Sequence, residues 1–412
     1  MEVLHRRCAG LDVHQAQIAA CVRVTPDGGQ PWAQAQRFET TPAGIAALRE
    51  WLGRLEVTHV AMEGTGVYWL PVYTALESGF DLTLCNAHHV KNVPGRKTDQ
   101  SDAAWLAQLL ASGLLRKSYV PPADVRQLRE LTRARVHRVE DRARVVNGMH
   151  RLLERAGVKL CSVVSDLQTK SARGIMEALA AGESDARVLA DLARGSLRGK
   201  RAELAAVLAV PLSPVERMLL KQALAQLALC DQQVADLDET ILALVRPWRV
   251  AVDRIKTAPG IDEIAAVAII AEIGPDVAAF EDPHRLAAWA GLAPGQRESA
   301  GKRKKAGARQ GNAYLRRILV QSAVVISRSK KNPSDLTEFF RKKMPVLGYK
   351  KAAVATAHKL LVRLWTMLHN GQDYAPPPPK PLTERQRQRR AQRALDTLES
   401  LGIDVLIQPA AA

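Results

Sequence analysis

The chain has 412 residues, a length that favours two or three domains. Of these residues 47% are hydrophobic and 25% are charged, which is typical of a folded globular protein rather than of a disordered chain. Its 59 Lys and Arg residues against 42 Asp and Glu residues give a formal net charge of +17, which favours a polyanionic partner, nucleic acid first. No stretch has the ~20 apolar residues of a membrane span, the N-terminus has no apolar core of signal-peptide length, and the five cysteines are scattered singly. We therefore expect a cytoplasmic protein without membrane, disulfide framework or zinc site.

Short apolar segments alternate with helical segments from residue 9 to about residue 118. The segment LDVHQAQIAACVRV predicts two paired strands, and THVAME and DLTLCN predict one strand each. Helices are predicted between them, in TPAGIAALREWL and after Tyr68. This order is typical of an α/β domain, which we assign to residues 1–122.

The rest of the chain has a helical pattern. Residues 123–250 are poor in strand signals and rich in Leu, Ala and Arg, and their spacing predicts long helices, with a coiled-coil hairpin as the favoured arrangement. Residues 251–371 predict a compact helical domain, whose last helix ends at Asn370-Gly371. Residues 372–412 predict a Pro-rich linker and a basic peripheral helix. The fold class is thus α/β plus all-α.

Four acidic residues in the first domain are candidates for a metal site. Asp12 lies in the strand GLDVH, with its apolar neighbours expected on the opposite face. Glu63 ends the strand VAME, at a carboxyl edge where α/β folds tend to place their sites. Asp99 and Asp102 are three residues apart at a predicted helix start, so we expect them on one face.

Such a cluster of carboxylates needs a counter-ion, because like charges a few ångströms apart resist joint ionisation. Oxygen ligands suit Mg²⁺ or Mn²⁺, and two such ions about 4 Å apart favour phosphodiester transfer, as in RNase H-like enzymes. Taken singly, Asp12 also fits a surface or capping residue, and Asp99 and Asp102 also fit an N-cap and first helical turn. An actin-like phosphotransferase can also begin with a Gly-x-Asp strand, but no later Gly-rich loop completes an ATP site.

The order of motifs resembles a known family. GLDVH, AMEGTGVYWLPVYTAL and NAHHVKNVPGRKTDQSDAAWLAQLL are similar to the N-terminal domain of the DEDD transposases of insertion-sequence family 110. APGIDEIAAVAIIAEIG and AAWAGLAPGQRESAGKRKKAGARQGNAYLRRIL are similar to that family's C-terminal transposase domain. The resemblance implies an RNase H-like (RuvC-like) fold in which the four carboxylates bind two Mg²⁺ or Mn²⁺ ions. It also implies a DNA recombinase that a structured bridge RNA guides to donor and target DNA, working as a dimer or tetramer.

The same resemblance implies that Ser299, in GQRESAGKRKK, is the nucleophile and that a partner subunit's metal site completes the active site. Metal coordination can activate a serine hydroxyl without a histidine base. Ala300 stands where the family has Gly, and the spacing to GNAYLRR is slightly short. A surface serine in a basic loop is the alternative interpretation.

A basic stretch follows this serine, with no Asp or Glu from Ser299 through Ser334. A block of one charge sign favours contact with phosphates; its candidate nucleic-acid-binding residues are Lys302, Arg303, Lys304, Lys305, Arg309, Arg316 and Arg317. The turn at Gly260, between two apolar helical segments, resembles a helix-hairpin-helix that holds a phosphate. Packing is an equal alternative for that turn, because Asp262 would oppose a phosphate there unless it caps the next helix.

The sequence favours a transposase or recombinase, nucleoid-associated when active. A hydrolytic RNase H-like nuclease or Holliday-junction resolvase is the first alternative, in which water attacks and Ser299 has no role. A non-catalytic nucleic-acid-binding protein is the second, although clustered carboxylates bring nothing to simple phosphate binding.

Overall fold

A computed structural model of the chain describes residues 3–64, 66–86, 90, 101–295, 298–299, 302–303, 311–330, 333–376 and 383–402. The strands are β1 (Arg7–Val13), β2 (Gln17–Val24), β3 (Trp32–Glu39), β4 (His59–Glu63), β5 (Asp81–Cys85), β6 (Glu298–Ser299) and β7 (Lys302–Arg303). The helices of the first half are α1 (Pro42–Arg54), α2 (Trp69–Leu76), α3 (Asp102–Ala111), α4 (Ala123–Arg155), α5 (Leu160–Val163), α6 (Lys170–Ala181), α7 (Ala186–Asp191) and α8 (Arg201–Val207). Those of the second half are α9 (Pro214–Leu244), α10 (Arg249–Lys256), α11 (Glu263–Ile273), α12 (Pro283–Trp289), α13 (Ala313–Arg328), α14 (Asp335–Leu347), α15 (Tyr349–Asn370) and α16 (Glu384–Ser400).

Five strands form one mixed sheet in the order β3-β2-β1-β4-β5. The first three strands pair antiparallel, whereas β4 pairs parallel with both β1 and β5. The strands predicted in LDVHQAQIAACVRV, THVAME and DLTLCN are confirmed. The sequence interpretation missed β3, an edge strand whose residues are exposed except for Phe38.

Helices cover both faces of the sheet. Leu11 and Val13 of β1 pack in one core with α1 and α2. Cys8 packs in another core with Trp105 and Leu106 of α3. Alternate residues of β1 therefore enter different cores, as expected for a strand buried on both faces, and the prediction that the apolar neighbours of Asp12 lie on the opposite face is confirmed.

Two long helices dominate the middle of the chain. Arg135 and Arg142 of α4 form ion pairs with Asp238 and Asp231 of α9, the second with an N–O distance of 2.7 Å. Because the position on α9 falls as the position on α4 rises, the two helices are antiparallel. The prediction of long helices here is confirmed, and α5 to α8 pack around the far end of the pair.

The C-terminal helices α10 to α15 enclose a third core. Leu128 belongs to this core, so the first turns of α4 pack on the C-terminal helices while its last turns pack on α5 to α8. The predicted stop of α15 is confirmed, since Gly371 is its C-cap with φ +68°. In the described ranges no helix is long and apolar enough to cross a membrane, and all five cysteines are free thiols.

Candidate active site and nucleic-acid interface

Asp12 and Glu63 lie at the carboxyl ends of neighbouring parallel strands. The register of β1 and β4 pairs Gly10 with Ala61 and Leu11 with Met62. The next step of this register brings Asp12 beside Glu63, and residues paired in this way project from the same face of a sheet. Both residues are half-buried, so their carboxylates are partly shielded from water and still accessible.

Helix α3 crosses the same face directly over Gly10. A Cβ atom on Gly10 would lie 2.1 Å from the carbonyl oxygen of Ala103 and 2.5 Å from the amide nitrogen of Ala107. Only glycine permits so close an approach of a helix to a strand. Ala107 lies beside Cys8 and Ala103 lies over Gly10, so the first residue of the helix, Asp102, is at the end of α3 that lies toward Asp12.

A helix begins in the segment where the sequence predicts a helix start, at Asp102. Its N-cap is Ser101, whose hydroxyl accepts a hydrogen bond from the Ala104 amide at 3.3 Å, and its backbone is extended. The helix therefore begins at Asp102, and the expectation that Asp99 and Asp102 share one face stays a prediction. Asp99 lies outside the described residues.

The surroundings of the carboxylates are polar at the rim and apolar beneath. His14 Nε2 lies 3.1 Å from Asp12 Oδ2, and the imidazole is mostly exposed. Beneath the rim, burial raises the pKa of the Cys85 thiol to about 12, with the charge of Glu63 adding to the effect. Burial likewise raises the pKa of Cys8 to about 11. Both thiols are therefore protonated at neutral pH.

The donor chemistry of this edge fits a hard divalent cation, because the three described acids offer oxygen atoms alone. Nevertheless, among the residues that the structure describes, no group of three or more His, Cys, Asp or Glu side chains is arranged to hold a metal ion. The structure thus places Asp12 beside Glu63 and the start of α3 toward them, without a closed ligand set among the described residues.

Ser299 lies on a short ribbon in the C-terminal region. Strands β6 and β7 pair antiparallel, with Glu298 opposite Arg303 and Ser299 opposite Lys302. Ser299 is thus the last residue of its strand before the connection to β7. Among the proposed nucleic-acid contacts, Lys304, Lys305 and Arg309 lie outside the described residues.

The end of this loop is fixed to a buried carboxylate, Glu272 on α11, which is 1% exposed. Arg133 of α4 donates to both of its oxygens, at 2.8 and 2.9 Å, and Arg129 lies 3.4 Å away. The side-chain amide of Asn312, the N-cap of α13, donates to it at 2.6 Å. The backbone just before Asn312 is equally constrained, because a Cβ on Gly311 would lie 2.2 Å from the amide nitrogen of Gly291.

The other proposed phosphate contacts have protein neighbours of their own. Arg317 donates to Glu140 of α4, and this hydrogen bond holds the pKa of Glu140 below its usual value. Arg316 is half-buried on the same helix. Gly260 has φ +74°, and a Cβ on it would lie 2.8 Å from the carbonyl oxygen of Ser322. Packing against α13 therefore accounts for this glycine, while its contact with phosphate stays a prediction.

Three features of the site escaped the sequence interpretation. Gly10 has no local signal, because its role depends on a helix more than 90 residues later in the chain. The contact of His14 with Asp12 was also missed. Glu272 did carry a signal, as the single charged residue in the interior of the apolar helix EIAAVAIIAEI, since a charge in such a position needs a buried partner.

Two family models match the chain. One, for DEDD transposases of IS110 and described as "Transposase", matches residues 9–157, and the other, described as "Transposase IS116/IS110/IS902 family", matches residues 252–338.

Individual relatives agree with these matches. The chain is 25% identical over 328 residues to the transposase for insertion sequence element IS1111A of Coxiella burnetii, covering 78% of this chain and 80% of that protein. It is 26% identical over 364 residues to an uncharacterized 44.8 kDa protein of insertion element IS116 from Streptomyces clavuligerus, covering 79% and 88%. A 42 kDa protein of insertion element IS900 from Mycobacterium paratuberculosis is 34% identical over 149 residues, covering 35% and 36%.

Proposed function

The chain belongs to the IS110 family of transposases, enzymes that cut and rejoin DNA, and on this premise we propose that it does so with a divalent-metal carboxylate site and a serine nucleophile. The observation that carries the proposal is the position of Asp12 and Glu63 at the carboxyl ends of neighbouring parallel strands, with the helix that begins at Asp102 crossing the same face over Gly10. The antiparallel and parallel pairing of the five strands supports an RNase H-like (RuvC-like) domain.

In this proposal the four acids Asp12, Glu63, Asp99 and Asp102 hold Mg²⁺ or Mn²⁺, with two ions as the expected number. Such ions supply Lewis-acid stabilisation of the charge that develops at a phosphodiester. The protein's own contribution is to fix the oxygens. Asp12 and Glu63 lie on adjacent strands. Asp102 lies in the first turn of α3, which the Ser101 cap orients.

Ser299 is the proposed nucleophile. Its Oγ forms a bond to phosphorus, one phosphodiester P–O bond breaks, the leaving oxygen is protonated, and the serine proton passes to solvent. The position at the end of β6 and the anchoring of the loop through Asn312 to Glu272 support this role, because a nucleophile must be held close to its target. Completion of the active site by a partner subunit's carboxylates, in a dimer or tetramer, is part of the proposal.

Guidance by a structured RNA is also proposed, on the basis of family membership and the net charge of +17.

Each predicted domain has its own proposed role. Residues 1–122 carry the carboxylates, residues 123–250 form the spacer, residues 251–371 carry the serine and residues 372–412 form the linker and tail.

Strand cleavage with Mg²⁺ tests the carboxylates. We expect Asp12→Asn and Asp102→Asn each to abolish cleavage. Asp81→Asn should retain it, because Asp81 is the first residue of β5, at the opposite end of the strands from Asp12 and Glu63, and pairs with Lys117. Unchanged cleavage by Asp12→Asn and Asp102→Asn contradicts the proposed site.

The serine is tested by a phenol-resistant protein–DNA adduct. We expect the adduct with the native chain and with Ser327→Ala, and none with Ser299→Ala. An adduct that persists in Ser299→Ala requires another nucleophile. Cleavage without any adduct in the native chain indicates hydrolysis by water.

A further inference from the structure

The turn between α14 and α15 is exposed over eleven consecutive residues, 341–351. It carries five cations, Arg341, Lys342, Lys343, Lys350 and Lys351, and no acid occurs between Glu338 and Asp373. We refer to residues 341–351 as the hairpin tip. Protein surfaces usually mix both charge signs, so an exposed segment of one sign points to an anionic partner.

Large apolar side chains stand between these cations. Val346 is 82% exposed, and Met344, Leu347 and Tyr349 are each between about a third and a half exposed. Leaving such side chains in water on a monomer is unfavourable. Their combination with cations suits nucleic acid, where cations contact phosphates and apolar residues press into a groove or between base steps.

The base of the hairpin holds this tip in place. Phe340, Ala352 and Ala353 are buried together against α13, and the ring of Tyr349 packs edge-on against Phe340 at 5.3 Å between centroids. Gly348 makes the turn with φ +75°, and its amide donates to the Met344 carbonyl at 2.9 Å. The tip is thus a positioned element, on which Lys342, Lys350 and Lys351 are exposed to solvent.

The tip also continues a surface already proposed to meet nucleic acid. Arg341 donates to the carbonyl of Ser329 at 3.0 Å, and the exposed Arg328 and Lys330 flank that serine in the acid-free stretch after Ser299. The remaining cations of α15 differ, because Lys359 and Arg363 pair with Asp335. Among the cations of α14 and α15, those at the tip form no ion pair with a carboxylate of the described residues.

We propose that the hairpin tip binds the phosphodiester backbone of a nucleic-acid duplex, with Lys342, Lys350 and Lys351 contacting phosphates and Val346 lying against the groove. A second copy of the chain is a poorer occupant, since a symmetric contact would bring five cations of each subunit together. The proposal rests on the proposed function only in requiring a nucleic-acid substrate.

The test is the salt dependence of binding to a DNA duplex, measured with Ca²⁺ or without metal so that no cleavage is needed. Each phosphate contact contributes about 0.9 to the slope of log affinity against log salt. We expect Lys342→Gln/Lys350→Gln/Lys351→Gln to reduce the slope by about 2.7. The control Lys170→Gln/Lys200→Gln/Lys221→Gln removes three exposed lysines of the middle helices and leaves the slope unchanged.

Val346→Ser provides an independent measurement, with a lower affinity expected at an unchanged slope, because it removes an apolar contact and no charge. Repeating the triple substitution with an RNA duplex distinguishes the two sources of phosphate. A reduced slope with DNA alone, with RNA alone or with both assigns the occupant. An equal effect of the two triple variants, or an unchanged slope in both nucleic acids, overturns the proposal. Since cleavage is not measured, loss of the carboxylate or serine assignment does not change this result.

Discussion

Removing the buried carboxylate of Glu272 is the most informative perturbation of this fold. Glu272→Ala leaves the guanidinium groups of Arg129 and Arg133, whose side chains are 15% and 35% exposed, without the carboxylate that neutralises them. It also removes the acceptor of the Asn312 amide. Breaking a buried ion pair costs about 3 to 5 kcal/mol, and because Arg133 can reach water in part, we expect about 3 kcal/mol.

The control is Asp238→Ala, which breaks another two-bond contact of the same helix, with Arg135. Asp238 is 38% exposed, so water screens this pair and its loss should cost about 1 kcal/mol or less. Urea unfolding of the full chain, followed by far-ultraviolet circular dichroism, gives both values. A Glu272→Ala variant that is destabilised no more than Asp238→Ala refutes the reasoning.

The perturbation has a local consequence as well. Asn312 begins α13 directly after the loop that carries Ser299, so Glu272→Ala should weaken the start of that helix. We expect faster amide hydrogen exchange at Leu315, whose amide donates to the Asn312 side chain at 3.0 Å. We also expect slower formation of the protein–DNA adduct at saturating DNA. Unchanged exchange at Leu315 means that Glu272 does not anchor the loop.

Three further predictions concern packing and pH. Gly10→Ala should displace α3, since the added Cβ meets a carbonyl oxygen at 2.1 Å. We expect the free energy of unfolding in urea to fall by about 1–3 kcal/mol and metal-dependent cleavage to be lost. An unfolding free energy equal to that of the native protein would contradict the close crossing. Gly260→Ala should lower the free energy of unfolding because of the positive φ at this position, without changing the salt dependence of DNA binding. A smaller slope of log affinity against log salt, with an unchanged free energy of unfolding, would favour a phosphate contact instead. Burial, with the charge of the neighbouring His284, lowers the pKa of His358 below 6.5. The unfolded state therefore binds more protons than the folded state, and the thermal midpoint should fall as the pH drops below 6.5. His358→Leu should reduce that fall, and an equal fall in the native protein and the variant excludes His358 as its source.

Local pattern was sufficient for much of the fold. Strands β1, β2, β4 and β5 can be predicted from short apolar runs between turns, and the end of α15 can be predicted from Asn370-Gly371. These signals act within a few residues of the chain. The edge strand β3 was missed since its exposed face and its partner β2 are not visible in a short window. The motifs GLDVH and AMEGTGVYWL also predicted the family, because a short motif can be recognised without knowledge of the fold.

Motifs and composition indicate the chemistry available to this protein: carboxylates near strand ends, a serine before a run of cations, and an excess of positive charge. Which of these groups lie close together depends on the three-dimensional packing of the chain. The parallel register of β1 and β4 brings Asp12 beside Glu63, the absent side chain of Gly10 admits the helix of Asp102, and the burial of Glu272 ties the serine loop to the long helix α4. These contacts join residues that are far apart in the chain, and they depend on packing, which no local periodicity encodes.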